Sequence, residues 1–301
     1  MNMDFLTQYK IYLNRVNQAL EKEFSVPDLA QKQVFEAMRY GVLGGGKRIR
    51  PVLTLAVSDM LGGSGADALR VGCAIECIHS YSLIHDDLPC MDNDDLRRGR
   101  PTCHKVFPES IALLAGDGLL NRAFELLSAP RPYEKMDAEA VLSVIREIAG
   151  ASGAFGMIGG QVIDLDCENR TDVTLALLRE LHAKKTGALI RVSALCGCLC
   201  AGILDETDKN YQKILQFSAK LGLAFQIKDD ILDVTGKEEV LGKPIGSDEK
   251  SHKTTFVTLM GQEAAKRELS RLTEEAKEAL SGMGDTAFLL SFAEYLLNRE
   301  Y

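Results

Sequence analysis

The 301-residue sequence contains no tryptophan and only 8 prolines. Its 8 cysteines include no Cys-x-x-Cys pair, so no zinc-ribbon spacing exists. Cys196, Cys198 and Cys200 alternate, and such neighbours point about 200° apart on a helix, which prevents convergence on one ion. Together with Cys73 and Cys77 they read as small buried apolar residues in a reducing compartment. Basic excess is absent too: 35 Lys and Arg stand against 43 Asp and Glu, a net charge of −8 that argues against nucleic-acid binding. No Pro/Ser/Gly-rich linker or shift in composition divides the chain, so residues 1–301 read as a single domain. The opening MNMDFLTQYK lacks the apolar core of a signal peptide. The greasiest stretch, Ala188 to Leu204, is interrupted by Arg191 and too short to span a bilayer. A cytoplasmic location without stable membrane insertion is therefore expected.

Sustained period-two alternation is also missing, so no sheet is indicated. With 46% hydrophobic residues there is ample material for a sizeable core. Apolar periodicity predicts helices over Asp4 to Phe24, Lys32 to Tyr40, Pro51 to Leu61, and from Ala66 to an acidic cluster at Asp86. Further helices are predicted over Ser110 to Leu127, Asp137 to Ala151, Gly156 to Asp166, Leu175 to Cys200, Asp208 to Val234, Thr255 to Leu280 and Thr286 to Arg299. The expected fold is an all-α bundle of roughly ten or more helices.

The chain is organised around HSYSLIHDDLPCMDNDDLRRGR, His79 to Arg100. An apolar helical run ends in Asp86 and Asp87, followed by Asp92, Asp94, Asp95, Arg97 and Arg98. Carboxylates gathered at the end of a buried helix repel each other and lose hydration, so they call for cations. Oxygen-only ligands suit Mg²⁺, which is commonly shared with substrate phosphates, and arginine forks suit phosphate oxygens. A solvated acidic loop is the competing reading. Against it stands a second cluster, Asp229, Asp230 and Asp233, set among Leu221, Leu223, Phe225, Ile227, Ile231 and Leu232. Asp229 and Asp233 are i and i+4, one above the other on a helix, which destabilises it unless a cation lies between them.

Other basic and polar groups accompany these acids. In GGGKRIRP, Gly44 to Pro51, glycines permit a tight turn and Lys47, Arg48 and Arg50 stand at the mouth of a helix, a setting for an anion. The loop lacks Walker A spacing. His79, two helical turns before Asp86 on the same face, reads either as a packed core residue or as a ligand contact. Lys184, Lys185 and Thr186 interrupt an apolar helix, where Gly187 predicts a kink that exposes carbonyls. Gln161 and Asp164 are i and i+3 in GGQVIDL, and Lys228, Lys243 and Lys253 add charge in and after the second cluster.

In this order and spacing, GGGKRIRP, His79, Asp86-Asp87-x₄-Asp92 with RRGRPT, GGQ-x₂-D, KKTG and FQIKDDILD resemble the trans-isoprenyl diphosphate synthases, from about Gln31 to Thr255. The enlarged first acid motif, with Pro89 and Cys90, resembles the bacterial short-chain type. Asp86 and Asp92 are off-face on an ideal helix, so the Pro89 region must bulge for them to converge. The resemblance implies the isoprenoid synthase fold around a central cavity, a homodimer, and three Mg²⁺ ions. Asp86, Asp92 and Asp229 would hold them, with Asp87, Asp230 and Asp233 as near or water-mediated partners. The ions grip an allylic diphosphate, aided by Arg97, Lys185, Lys243 and Lys253. Thr186 and Gln226 stabilise the allylic cation that follows. Isopentenyl diphosphate is held by Lys47, Arg50, His79 and Arg98, and attacks head to tail.

A terpene cyclase would need no second diphosphate site, and GGGKRIRP with His79 and Arg98 argues against it; a regulatory subunit would be expected to lose one acid motif, and both motifs are intact. The expected product is farnesyl diphosphate, with geranylgeranyl diphosphate as the alternative. Tyr81 lies five residues up the helix from Asp86, about 7.5 Å deeper. It reads as the floor of the chain pocket or as an ordinary packed aromatic, while its neighbour Ser82 blocks nothing.

Overall fold

The computed structural model describes residues 3–168, 170–235 and 253–297. The first helix, α1 (Met3–Glu23), buries Phe5, Tyr9, Tyr12, Val16 and Leu20, the three-and-four spacing of a single helical face. It is followed by α2 (Lys32–Val42), α3 (Ile49–Met60) and α4 (Gly65–Asp86). Helix α4 is the centre of the bundle, buried without interruption from Val71 to Ile78 and flanked by α1, α3 and α6 (Glu109–Ser128). Its start is set by Ser64, whose hydroxyl accepts from the amides of Ala66 and Asp67 at 3.2 Å each.

After α4 come a two-residue antiparallel hairpin, β1 (Leu96–Arg97) with β2 (Arg100–Pro101), and a single helical turn, α5 (Cys103–Val106). Neither was predicted, because four residues of strand give no readable alternation. The bundle continues with α7 (Ala138–Ser152), α8 (Met157–Cys167) and α9 (Leu175–His182). The predicted 175–200 helix is broken at Ala183–Gly187, which winds as a π-turn before α10 (Ala188–Cys200). Helix α11 (Lys209–Thr235) then crosses the bundle. The expected 255–280 helix is two helices, α12 (Phe256–Met260) and α13 (Gln262–Ala279), parted at Gly261 with φ +80°. Helix α14 (Ala287–Leu297) lies against α1, α3, α11 and α13.

One apolar core links residues from α1 to α14, and the all-α expectation holds. All eight cysteines are free thiols and seven are buried, as small packing residues. Residues 138–167 are apolar and long enough by composition to cross a membrane, but they form two helices parted at residues 153–156.

Candidate active site

The first acid cluster closes on itself at the end of α4. Beyond Asp86 the chain turns so that the Asp92 amide donates to the Asp86 carbonyl at 2.9 Å, with Asn93 in the left-handed region at φ +51°. The required bulge is therefore present, and it returns Asp92 to the helix end. Asp87 is buried and held as a forked pair: Arg97 Nε donates to its two oxygens at 2.7 and 2.9 Å, and Nη2 lies 2.6 Å from Oδ1. Burial would weaken the Arg97 charge, but the Asp87 bond and field outweigh it and raise its pKa. The Asp86 pKa is raised as well, which disfavours its charge: burial raises the carboxyl first, and Asp92 and Asp87 raise it further, against the opposing charges of Lys185 and Arg97.

A polar thread ties this cluster to four other segments. Lys253 Nζ lies 3.8 Å from Asp92 Oδ1 and 3.8 Å from Asp164 Oδ2. Asp164, on α8, is also bound by Lys185 Nζ at 2.6 Å. Burial would raise the Asp164 carboxyl, yet the two lysines hold it below its ordinary value. Thr186 donates to Gln226 Oε1 at 3.1 Å, and the Gln226 amide donates to Asp230 Oδ1 at 3.3 Å. Asp229 and Asp233 are half-buried on α11, while Asp230 is buried. Lys243 lies outside the described residues.

The π-turn is placed by missing side chains. A Cβ on Gly160 would stand 2.2 Å from the Lys185 amide nitrogen and 2.6 Å from its Cα. One on Gly222 would meet the Gly187 Cα at 3.1 Å. Helices α8 and α11 therefore grip the turn backbone to backbone, and Lys185 and Thr186 project from it. π-turns of this kind are frequent at functional sites. The kink expected from Gly187 is this turn.

A second centre, in which cations outnumber the single carboxylate of Glu76, lies across α4. The glycine loop passes through left-handed geometry at Gly45 (φ +86°), Gly46 (φ +117°) and Arg48 (φ +46°). Arg48 is not left to face a ligand anion as its neighbours' pattern suggested, because it is spent on an internal one. It is buried on Glu76, Nη1 to Oε1 2.7 Å, and donates to the Val42 carbonyl at 2.7 Å and Asn17 Oδ1 at 3.0 Å. The pair thereby anchors the loop to the helix that carries His79. Tyr9 donates to the Lys47 carbonyl at 2.5 Å, and Arg98 donates to the Gly45 carbonyl. Arg50 Nε is buried without a hydrogen-bond partner among the described residues. Its pKa is pushed down to about 10, by burial first and by Arg98 against the pull of Glu76. His79 is driven well below its ordinary value by burial and by Arg50, Arg98, Arg97 and Arg48. Cations crowded in this way gain from an anion among them.

Among the described residues no three His, Cys, Asp or Glu side chains converge to hold a metal by themselves. The donor set nevertheless fits Mg²⁺. That ion keeps several waters and takes one or two carboxylates together with phosphate oxygens, and here the carboxylates already carry ammonium groups.

Residues 31–287 match the polyprenyl synthetase family. The chain belongs to that family. It is 43% identical to the farnesyl diphosphate synthase of Escherichia coli (strain K12) over 99% of both chains. It is 40% identical to the geranylgeranyl diphosphate synthase of Cyanophora paradoxa over 99% of this chain and 97% of the other. A geranyltransferase from Helicobacter pylori, solved with magnesium and isoprenyl diphosphate, has a similar structure: TM-score 0.85, 36% identity, 99% of this chain and 98% of that one. The protein is thus a short-chain trans-prenyltransferase of isoprenoid biosynthesis.

Some of this prenyltransferase site escaped the sequence reading. Glu76 carried a signal, a lone acid inside an apolar helix three residues before His79. His182 carried one as well, three residues before Lys185. Its ring is buried, stacks on Phe256 (centroids 5.5 Å, 25° between planes), and keeps Nε2 without a hydrogen-bond partner among the described residues. Its pKa is pushed down to about 4 by burial and Lys185, against Asp164.

Proposed function

We propose that this prenyltransferase is a farnesyl diphosphate synthase, condensing isopentenyl diphosphate head to tail with dimethylallyl and then geranyl diphosphate. The observation that carries the reading is the pair of centres along α4. One is a carboxylate array interleaved with lysines, and the other is a cationic pocket with an unpartnered Arg50 Nε. Two unlike anion sites suit two diphosphate substrates.

In this reading Asp86, Asp92 and Asp229 would hold Mg²⁺, three ions with diphosphate bound, whose charge would supply the electrostatic stabilisation that an allylic diphosphate needs as a leaving group. Asp87, Asp230 and Asp233 stand beside them. Arg97, Lys185, Lys243 and Lys253 donate to the same anion. Oxygens at the π-turn, with the Thr186–Gln226 pair oriented by Asp230, face the allylic carbon as positive charge develops. Lys47, Arg50, His79 and Arg98 hold isopentenyl diphosphate so that its double bond attacks that carbon. The new C–C bond forms as the C–O bond to diphosphate breaks, and the proton lost from the adduct passes to the departing diphosphate. The surrounding apolar helices keep water from the cation.

Product length rests on Tyr81. It is 5% exposed, its hydroxyl has no hydrogen-bond partner among the described residues, and its ring packs edge-on to His85 at 5.8 Å. Burial and the Asp86 charge push its pKa up to about 12. A buried aromatic on α4 five residues before Asp86 supports a floor at fifteen carbons. Ser82, half-buried, spends its hydroxyl on the His79 carbonyl at 3.0 Å. The second reading, a geranylgeranyl diphosphate synthase, is favoured by relatives of that name at nearly equal identity.

Incubation with Mg²⁺, labelled isopentenyl diphosphate and each allylic primer, then chromatography of the dephosphorylated alcohols, tests both. The expected wild-type product is C15, and Tyr81→Ala or Tyr81→Met extends it to C20 or beyond. C20 from wild type establishes the second reading, and unchanged length in the variants removes Tyr81 from its role.

We also infer a homodimer, supported by apolar side chains left exposed on α6 (Leu113, Leu114) and around α8 (Ile158, Val162, Leu165), with Phe155 93% exposed. Sedimentation of a monomer at micromolar concentration would refute it.

A further inference from the structure

Asp230 sits beside Asp229 in the second acid cluster, yet about 100° of helix rotation turns it elsewhere. It is 3% exposed. Its Oδ2 accepts the Phe256 amide at 2.8 Å, and Oδ1 accepts the Gln226 amide at 3.3 Å. Phe256 is the first residue of α12, a helix started by the reciprocal capping of Thr255 and Thr258. The His182 ring lies on the Phe256 ring, with its Nε2 4.0 Å from Asp230 Oδ2. Three residues before Phe256 stands Lys253, whose ammonium lies between Asp92 and Asp164.

We propose that Asp230 and His182 are positioning residues that pin the segment 253–256 and thereby fix where Lys253 meets the diphosphate. Asp230 anchors the backbone and His182 clamps the Phe256 ring beneath it. At 4.0 Å from Asp230 Oδ2 the His182 Nε2 makes no hydrogen bond to it, so the clamp is the stack of the two rings. The inference rests on the prenyltransferase reading of the Lys253 side. It assigns adjacent aspartates different work: Asp229 toward metal, Asp230 toward the chain itself.

Hydrogen exchange of peptides covering 253–260, in protein free of Mg²⁺ and substrate, tests the pin without any turnover. Asp230→Ala is expected to speed exchange at Phe256 about tenfold, the effect of losing one charge-assisted bond. Asp230→Asn, whose amide oxygen still accepts the Phe256 N–H, is expected to restore protection. In turnover, Asp230→Ala should raise the allylic KM and leave the Mg²⁺ concentration for half-maximal rate unchanged, whereas Asp229→Ala should raise that concentration. His182→Ala, which removes the ring from Phe256, should shift the allylic KM in the same direction as Asp230→Ala by less, and His182→Phe, which keeps the stack, should leave it near the wild-type value; no shift in His182→Ala removes His182 from the role. Unchanged exchange in Asp230→Ala overturns the proposal. So does an Asp230→Asn variant whose Mg²⁺ requirement rises as far as that of Asp229→Ala. An inactive wild type would instead sink the functional reading and leave the exchange result standing.

Discussion

Gly160→Ala adds one methyl group where the structure has no room for it. The new Cβ would lie 2.2 Å from the Lys185 nitrogen, 2.6 Å from its Cα and 2.8 Å from the Lys184 carbonyl carbon. All three are main-chain atoms, so no change of rotamer relieves the clash. Helix α8 must retreat from the π-turn by about 1 Å, and overpacking of this kind costs about 1–3 kcal/mol. Asp164 lies one turn beyond Gly160 on the same helix and is bonded to Lys185 across this contact at 2.6 Å. The displacement therefore reaches Lys185 directly, the lysine that the proposed function places on the allylic diphosphate, and a misplacement of about 1 Å is enough to cost about 10²-fold in rate. Thermal melting and steady-state kinetics with saturating Mg²⁺ and substrates measure the two effects. The expected result is a melting point lowered by a few degrees and turnover lowered about a hundredfold. Gly150→Ala is the control, because a Cβ there meets nothing within 4 Å inside α7. It should stabilise slightly, by about 0.4–1 kcal/mol. A Gly160→Ala protein that melts and turns over like wild type would refute the backbone-contact account of this turn.

Asp86→Ala or Asp229→Ala should lower turnover by several orders of magnitude with the fold intact by circular dichroism; near-normal turnover at saturating Mg²⁺ would sink the metal assignment. Lys47→Ala or Arg50→Ala should raise the isopentenyl KM far more than the allylic KM, each removing a charge-assisted bond worth about 1.5–3 kcal/mol. Equal effects on both substrates would mean the cationic centre serves the other diphosphate. The raised Asp86 carboxyl makes a prediction about stability in the metal-free protein. A carboxyl whose folded pKa lies above its ordinary 3.8 favours the fold at low pH and loses that contribution as pH rises through the folded value. Asp86→Asn should therefore melt higher than wild type at about pH 7, by a margin that shrinks on acidification, although it is inactive. A lower melting point at neutral pH would contradict this.

Much of the helical order was legible because amphipathic periodicity survives in a single sequence. Phe5, Tyr9, Val16 and Leu20 are buried as their spacing requires. The acid clusters were legible for a different reason, since carboxylates within apolar runs conflict with simple burial. What the pattern hid was direction. Arg48 and Arg50 look alike beside the glycines, yet a left-handed backbone at Arg48 turns its side chain inward to Glu76. Gly187 announced a disturbed helix but not its form. The partners that define the turn, Gly160 and Gly222, are contacts across elements that no local window contains. Asp230 and His182 were obscured in the same way, because their common partner Phe256 follows a long interval of sequence.

The lysines that stand among the carboxylates carry a thermodynamic consequence. Asp164 already has two ammonium groups as neighbours, and Asp92 shares one of them. A divalent cation arriving alone would meet resident positive charge, and a diphosphate arriving alone would meet resident negative charge. Arriving together they nearly cancel, and Lys185 and Lys253 can exchange carboxylate partners for phosphate ones. Affinity for the ion and affinity for the diphosphate are then mutually dependent, and linkage requires each to strengthen the other by the same factor. Under the proposed function, the resting ion pairs would make the enzyme sense a metal–diphosphate complex rather than either component.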